Sequence, residues 1–366
     1  MAVFDRSAAG VDEAAPELVL DNICKSFDGH VAVDRCDLVL RRGEIVALLG
    51  ASGCGKSTLL NMIAGFEDPD YGTISLHGRV INAIPPYRRN VAMVFQHYAM
   101  FPHLTVADNI GYGLTARRLS RAEIAARVDE MIALLQLEGL GKRYPAQLSG
   151  GQRQRVAVAR ALAVRPDMLL LDEAFSALDR NLREDMQLEL SLLLRRLKVT
   201  TVLVTHDQRE AFALADRIAI MERGRIAQIG TPEDVYRKPG SSSVLRFLGT
   251  TNRFTGNLSD NGEVSIAPGL SFAASAGIRA GALLVDIRAE DVTLSREPTA
   301  LHRTSPAQVV LRTFLGSQER IVLKLNDHQV VIDRPAQVAL NQEPLAIGAQ
   351  VYLEFDPASC RLSSAG

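Results

Sequence analysis

A lysine followed by two hydroxyl residues closes the stretch Gly50-Ala51-Ser52-Gly53-Cys54-Gly55-Lys56-Ser57-Thr58, which fits the pattern G-x-x-x-x-G-K-[ST]. These residue types at this spacing suit a polyphosphate anion. Glycines let successive backbone N–H groups turn inward, and the positive end of a following helix adds its field. Lys56 is then expected to reach the β- and γ-phosphates and Ser57 to bind Mg²⁺. The pattern needs a strand before it and a helix after it. Both are predicted: Glu44-Ile45-Val46-Ala47-Leu48-Leu49 is an apolar run, and Leu59, Leu60, Met62 and Ile63 recur at helical spacing before Gly65. A glycine-rich turn with a chance Lys-Ser would lack that frame.

Three further apolar runs end in polar residues. Val91-Ala92-Met93-Val94-Phe95 reads as a buried strand ending at Gln96, whose amide suits a sensor of water or Mg²⁺ better than a base. Met168-Leu169-Leu170-Leu171 ends at Asp172-Glu173, where α/β folds place ligands. Asp172 is expected to hold the Mg²⁺ shell and Glu173 to polarise or deprotonate an attacking water. Thr200-Thr201-Val202-Leu203-Val204-Thr205 ends at His206, and Asp207-x-x-Glu210 is expected to cap the next helix. Each of these taken singly is also an ordinary polar strand end. Together with Lys56 they are four strand ends presenting polar groups, which makes His206 a γ-phosphate contact.

The elements around these ends follow from pattern. Leu18-Val19-Leu20 through Ile23, Val31-Ala32-Val33 and Leu38-Val39-Leu40, broken at Asp28-Gly29 and Arg42-Gly43, predict short antiparallel strands. Phe27, before the first turn, is either a buried strand-end ring or a face for stacking adenine. Thr73–Leu76 and Val80-Ile81 predict a small hairpin. From about Phe101 to Tyr144 the chain becomes helical: Ser120-Arg121-Ala122-Glu123 is a capping box, followed by an apolar face of Ile124, Val128, Met131, Ile132 and Leu135. Leu148-Ser149-Gly150-Gly151-Gln152 opens another helix, with Val156, Ala159, Leu162 and Ala163 inward. Its Ser-Gly-Gly start is an ordinary N-cap or a second anion cradle. Ser176-Ala177-Leu178-Asp179 leads into a long helix with Leu182, Met186, Leu190, Leu193, Leu194 and Leu197 inward.

At 366 residues the chain is expected to form two or three domains. Its 41 basic and 42 acidic residues nearly cancel, so bulk charge gives no reason to expect nucleic acid as a partner. No apolar stretch approaches the roughly 20 residues of a spanning helix, and the start lacks the marks of a secretory signal. A soluble cytoplasmic chain is expected. Cys24, Cys36, Cys54 and Cys360 show no metal-ligand spacing and are expected as free thiols.

The ordered set of motifs resembles the nucleotide-binding subunits of ABC transporters. GASGCGKST is similar to the family's phosphate loop, Gln96 to its Q-loop glutamine, LSGGQ at 148–152 to its signature, LLLDE at 169–173 to its Walker B strand, SALD at 176–179 to its D-loop, and His206 to its switch histidine. The resemblance, over about residues 18–366, implies an α/β P-loop NTPase with a RecA-like core, an antiparallel β subdomain and a helical subdomain at about 98–165. It implies ATP and Mg²⁺ as cofactors, held by Phe27, the 50–58 loop, Ser149, Gly150, Gly151, Gln152 and Asp179, with Ser57, Gln96 and Asp172 at the metal. Lys56, Gln96, Glu173 and His206 carry catalysis in this reading, which tips Phe27 toward adenine. Two chains are implied to meet head to tail, so that Ser149-Gly150-Gly151 of one closes on phosphate held by Lys56 of the other. Ala51 and Ala174-Phe175 depart mildly from the usual pattern. Phe175 puts the packing beside the D-loop in question.

Beyond about Leu248 the pattern turns to short strands: 282–288, 308–311, 320–323 and 350–355. They predict a small barrel, similar to the OB-like (TOBE) regulatory domain of importer ATPases for polyamines, ferric iron, sugars, sulfate and phosphonates. The organisation expected is a loose extension over 1–16, the ATPase domain over 17–247 and the OB-like domain over 248–366. The resemblance implies a peripheral ATPase on the cytoplasmic face of the inner membrane. Its partners would be integral permease subunits, touched near Tyr98 to Leu114, and indirectly an external binding protein. Polyamine import is the favoured reading, with ferric iron, phosphonate, sulfate or sugar as alternatives. A soluble ABC ATPase acting on nucleic acid or ribosomes would call for two cores or a long coiled-coil insertion, and a small-molecule P-loop kinase does not explain LSGGQ.

Overall fold

The computed structural model describes residues 16–175, 180–267, 270–273, 280–298, 305–337 and 345–364. The chain divides into two compact units, Met1–Lys238 and Pro239–Gly366.

The first unit carries strands β1 (Pro16–Phe27), β2 (His30–Arg41), β3 (Ile45–Gly50), β4 (Tyr71–Leu76), β5 (Arg79–Val80), β6 (Val91–Val94), β7 (Met168–Asp172), β8 (Thr200–Thr205), β9 (Arg217–Glu222) and β10 (Arg225–Gly230). Its helices are α1 (Lys56–Ala64), α2 (Val106–Ala116), α3 (Arg121–Leu134), α4 (Gly150–Ala163), α5 (Arg180–Leu197), α6 (Gln208–Leu214) and α7 (Pro232–Arg237). The strands form two sheets. One is antiparallel in the order β2-β1-β4-β5; the other runs β10-β9-β3-β8-β7-β6, parallel except for β10. The fully apolar β3 and the apolar runs of β7 and β8 lie inside this sheet because both faces are covered.

Helix α1 is the wedge between the sheets. Leu59, Leu60, Met62 and Ile63 share one core with Leu18, Leu38, Leu40 and Ile74 of the antiparallel sheet and with Val46, Leu48, Leu170 and Val204 of the parallel one. The helix starts immediately after Gly55 and stops at Gly65, whose φ of 85° ends it in left-handed geometry. The phosphate loop is thereby fixed at the end of a strand buried on both faces.

The helical segment matches its caps. Thr105, Ser120 and Ser149 each accept from the backbone at the start of α2, α3 and α4, and the capping boxes at Ser120 and Ser149 are complete. Two predicted details are corrected. On α5 the buried side is Met186, Gln187, Leu190, Ser191 and Leu194, whereas Leu193 and Leu197 are half-buried; Leu182 lies outside the described side chains. At α6, Asp207 caps by accepting from Arg209 N, and Glu210 turns into the protein instead of back to the cap. The Arg223-Gly224 hairpin joining β9 and β10 was not predicted; both residues have φ near the left-handed well, 50° and 80°.

The second unit holds a short helix α8 (Ser242–Phe247) and strands β11 (Thr251–Leu258), β12 (Glu263–Ala267), β13 (Leu270–Ala273), β14 (Gly281–Arg288), β15 (Val292–Ser295), β16 (Ser305–Phe314), β17 (Gln318–Leu325), β18 (His328–Pro335), β19 (Gln350–Phe355) and β20 (Arg361–Ser364). They make two antiparallel sheets, β13-β12-β11-β14-β20 and β15-β19-β16-β17-β18. Phe254, Val285 and Ile287 of the first sheet and Ile321, Leu323 and Leu353 of the second share one core. The alternation that predicted strands there is the alternation of faces over that core.

Candidate functional site

The phosphate loop is held from three sides. A Cβ on Gly50 would stand 2.4 Å from Met221 O of β9, and one on Gly55, at φ 104°, would stand 2.3 Å from Ala32 O of β2. Only glycine fits there, because the obstacles are backbone. Gly224 N of the β9–β10 turn donates to Cys54 O at 3.1 Å, and Asp34 N of β2 donates back to Gly224 O at 2.9 Å. The hairpin missed in the sequence is therefore a brace for the loop.

Lys56 is buried, and its ammonium lies across the loop, donating to Gly50 O at 2.8 Å and Ala51 O at 2.9 Å, with Cys54 Sγ at 3.7 Å. Among the described residues no carboxylate lies within ion-pair distance of it. A buried cation on neutral carbonyls in a glycine cradle is complementary to an anion. Ser57 Oγ follows on the exposed side and stands 3.5 Å from Asp172 Oδ1 at the end of β7. Burial, and then the charge of Glu173, push the Asp172 carboxyl above the usual carboxylate range; Ser57 and Lys56 pull the other way. A hydroxyl and a half-buried carboxylate with adjacent negative charge are hard oxygen donors suited to Mg²⁺. The residues fit a nucleotide with its cation.

Glu173 is the centre of the site. It leaves β7 in left-handed geometry, φ 45°, while its N–H stays bonded to Val204 O of β8 at 2.9 Å. Its Oε2 accepts from Gln96 Nε2 at 3.1 Å, and its Oε1 meets His206 Nδ1 at 3.0 Å. Three strand ends, those of β6, β7 and β8, thus converge on one carboxylate. The structure places Gln96 and His206 on Glu173, a relation that spacing alone did not reveal, since they lie 77 and 33 residues away. Phe27 is 42% exposed, with Lys25 Nζ 5.2 Å from its ring centre, which rules out the buried strand-end reading. Ser52, Gly53 and Ala51 line the exposed crest of the loop, and Thr58 is half-buried.

The Ser149-Gly150-Gly151 start of α4 is built as a helix terminus: Ser149 Oγ accepts from Gln152 N at 3.3 Å, and Gln152 Oε1 accepts from Ser149 N at 3.0 Å. The Gln152 side-chain oxygen is therefore committed to the cap. Asp179, with Ser176–Leu178, lies outside the described residues. Phe175, whose fit was in question, is fully buried.

Two arginines that the sequence reading passed over hold these elements. Arg89 donates to Met62 O and Ile63 O at the end of α1 and to Asn82 O and Ile84 O. Arg127 donates to Leu162 O and Ala163 O at the end of α4. Both satisfy helix C-terminal carbonyls from a distant part of the chain.

Residues 33–176 match the family described as ABC transporter, and residues 285–362 match the TOBE domain. The putrescine transport ATP-binding protein PotG of Escherichia coli (strain K12) is 47% identical over 357 residues, 94% of each chain. The chain belongs to the ABC transporter ATP-binding subunits. Its fold is the α/β P-loop NTPase of that family followed by a TOBE domain, and its members hydrolyse ATP to drive transport. The sulfate/thiosulfate import ATP-binding protein CysA 2 of Chromobacterium violaceum is 44% identical, covering 97% of this chain and 96% of its own. Among solved structures, the ATP-binding cassette MJ0796 in a dimeric, post-hydrolysis state bound to ADP and Pi covers 59% of this chain and 98% of its own, at TM-score 0.54 and 31% identity. Among the described residues of this ABC subunit, no helix is long and apolar enough to cross a membrane.

Proposed function

We propose that this chain is the ATP-hydrolysing motor of a polyamine importer, working as a head-to-tail homodimer on the cytoplasmic face of integral permease subunits supplied by an external binding protein. The observation that carries the reading is the carboxylate of Glu173, held at both oxygens by Gln96 and His206 beside the Ser57–Asp172 pair.

In this reading the loop 50–58 binds the phosphates through its N–H groups and Lys56, and Phe27 presents its ring to adenine. Ser57, Gln96 and Asp172 would hold Mg²⁺, which would supply positive charge against the negative charge of the phosphates. Glu173 orients and deprotonates the water; its two hydrogen bonds fix the direction of that lone pair before substrate arrives. A contact of His206 Nε2 with the γ-phosphate needs an N–H there, so in this reading both ring nitrogens donate, Nδ1 to Glu173 and Nε2 to the phosphate. The N-terminus of α4, where Ser149 is exposed, Gly150 half-buried and Gly151 buried behind them, is the surface that meets the nucleotide of the second chain. Closure then excludes water and completes the site, so hydrolysis follows dimerisation.

Two full-length relatives are named for putrescine and for sulfate/thiosulfate, at 47% and 44% identity. The higher identity supports polyamine, and sulfate is the second reading. The test has two arms. ATP hydrolysis and oligomeric state are measured for the wild type and Glu173→Gln: loss of most turnover with an ATP-dependent dimer supports the site, and normal turnover overturns it. Uptake of labelled putrescine, spermidine and sulfate is measured in cells lacking this chain; loss of sulfate uptake alone replaces the polyamine assignment.

A further inference from the structure

Beyond Gln96 the backbone does something costly. Tyr98 and Ala99 are consecutive non-glycine residues with φ of 62° and 43°, both left-handed. An L-residue avoids this region because its Cβ approaches the carbonyl oxygen, and two in succession need outside support. The local turn bonds, Tyr98 N to Phe95 O at 2.9 Å and Ala99 N to His97 O at 2.7 Å, fold the loop tightly. The carbonyls of Tyr98 and Ala99 both meet one side chain.

That side chain is Arg160. Its Nη2 donates to Tyr98 O and its Nη1 to Ala99 O, each at 2.7 Å, and its guanidinium carbon lies 5.5 Å from the Phe101 ring centre. Among the described residues no carboxylate forms an ion pair with it. Burial disfavours its charged form, so the two carbonyls and the ring are what hold the cation. The loop is also fixed at its far end, where Asn109 of α2 accepts from Phe101 N at 2.9 Å and donates to Phe101 O at 3.1 Å. Its near end is Gln96 on Glu173.

Arg160 stands on α4, the helix that begins with Ser149-Gly150-Gly151. Arg160 lies eleven positions beyond Ser149 along α4, a rigid rod of roughly 16 Å at about 1.5 Å per residue. We propose that Arg160 is a positioning residue that transmits the placement of the signature end of α4 to Gln96, and through it to the carboxylate of Glu173 in the same chain. The inference rests on the roles given above to Gln96 and Glu173. In a head-to-tail dimer the signature of one chain serves the nucleotide of the other, while Glu173 serves its own chain's nucleotide. The Arg160 fork therefore links the two composite sites: engagement of α4 at one is felt at the general base of the other.

The test is a double-mutant cycle between Arg160→Lys and Gln96→Ala, read as ATP turnover and nucleotide affinity in the complex with its permease. Lysine keeps the charge but replaces a planar fork with a single ammonium, which cannot hold two carbonyls in one geometry. Arg160→Lys is expected to lower kcat by about tenfold or more through misplacement of the base, with ATP affinity within about twofold of wild type and the Hill coefficient for ATP reduced toward 1. In the Gln96→Ala background it is expected to add nothing. Losses that multiply, wild-type turnover in Arg160→Lys, or a Hill coefficient unchanged by it overturn the proposal. If Arg160→Lys does not accumulate folded, Arg160→Gln, whose amide donates to one carbonyl, completes the same cycle. Glu173→Gln, run alongside, separates the two readings: normal turnover there overturns the general-base assignment and this inference with it, whereas loss of turnover there with multiplying losses in the cycle overturns this inference alone.

Discussion

Ser57 Oγ and Asp172 Oδ1, one at the start of α1 and the other at the end of β7, stand 3.5 Å apart although 115 residues separate them. The parallel sheet makes this contact, since β3 and β7 flank β8 and release their chains at the same edge. In the proposed reading these two hard oxygens are where Mg²⁺ would be held.

Removal of either oxygen donor is therefore expected to raise the Mg²⁺ requirement. Ser57→Ala and Asp172→Asn should each shift the Mg²⁺ concentration for half-maximal ATP hydrolysis upward by roughly 10–100-fold. A metal titration of turnover at fixed ATP checks this. An unchanged midpoint in both variants would remove these residues from the metal site.

Phe27 gives an affinity prediction. Its exposed ring is a flat apolar face at the edge of the antiparallel sheet. Phe27→Ala should weaken nucleotide binding by about 1–3 kcal/mol, the range for base–aromatic stacking, while Phe27→Tyr retains it. Saturating turnover should change little, because the ring touches no reacting group. Equal affinity in Phe27→Ala and wild type would leave the ring without a nucleotide role.

How much of the site was legible divides along a physical line. The strand ends could be read because an apolar run that stops at Gln96, Asp172 or His206 reports burial and its end in one dimension. The caps at Ser120 and Ser149 were legible for the same reason, as each is complete within four residues. What could not be read is convergence. Nothing in the chain near Gln96 says that its amide lies on Glu173, or that Arg160 reaches back to Tyr98 and Ala99. Phe27 needed exposure to decide it, and Glu210, which fits a capping box by spacing, is buried because α6 packs that side on the parallel sheet. In the second unit, alternation predicted strands; their assembly into two five-stranded sheets depends on register that no local pattern records.

Arg89 yields a stability prediction. Its guanidinium is buried and serves four carbonyls, two of them at the end of α1. Arg89→Ala removes the side-chain donor from all four carbonyls, leaving Met62 O only its 3.2 Å bond from Gly65 N, and should destabilise the nucleotide-binding unit by about 3 kcal/mol. Arg89→Lys should recover only part, since one ammonium cannot span α1 and the 82–84 loop. Chemical denaturation of the three proteins, followed by a probe in the first unit, measures both effects. A loss below about 1 kcal/mol in Arg89→Ala would mean that water replaces the guanidinium.

The last prediction concerns pH. Glu210 is 3% exposed and accepts from Thr205 Oγ1 at 2.5 Å, while its other oxygen, Oε1, is buried without a partner. Burial pushes its carboxyl from the ordinary 4.5 up to about 7; the nearby Asp207 adds to the rise, and Thr205, Arg183 and His206 oppose it. Below pH 4.5 the carboxyl is protonated in both folded and unfolded chains, so it adds no pH dependence. Between 4.5 and 7 the folded chain holds a proton that the unfolded chain has released, and stability falls as pH rises. Above about 7 both forms are ionised and the loss is complete, on the order of 3 kcal/mol. Glu210→Gln removes the titration while keeping an acceptor for Thr205. Its unfolding midpoint should therefore lack this group's decline between pH 5 and pH 8 and should exceed wild type at the upper end, with the two proteins closest at the lower end. Parallel pH profiles of wild type and variant would show the decline either as the property of this one buried carboxyl or as a property both proteins share.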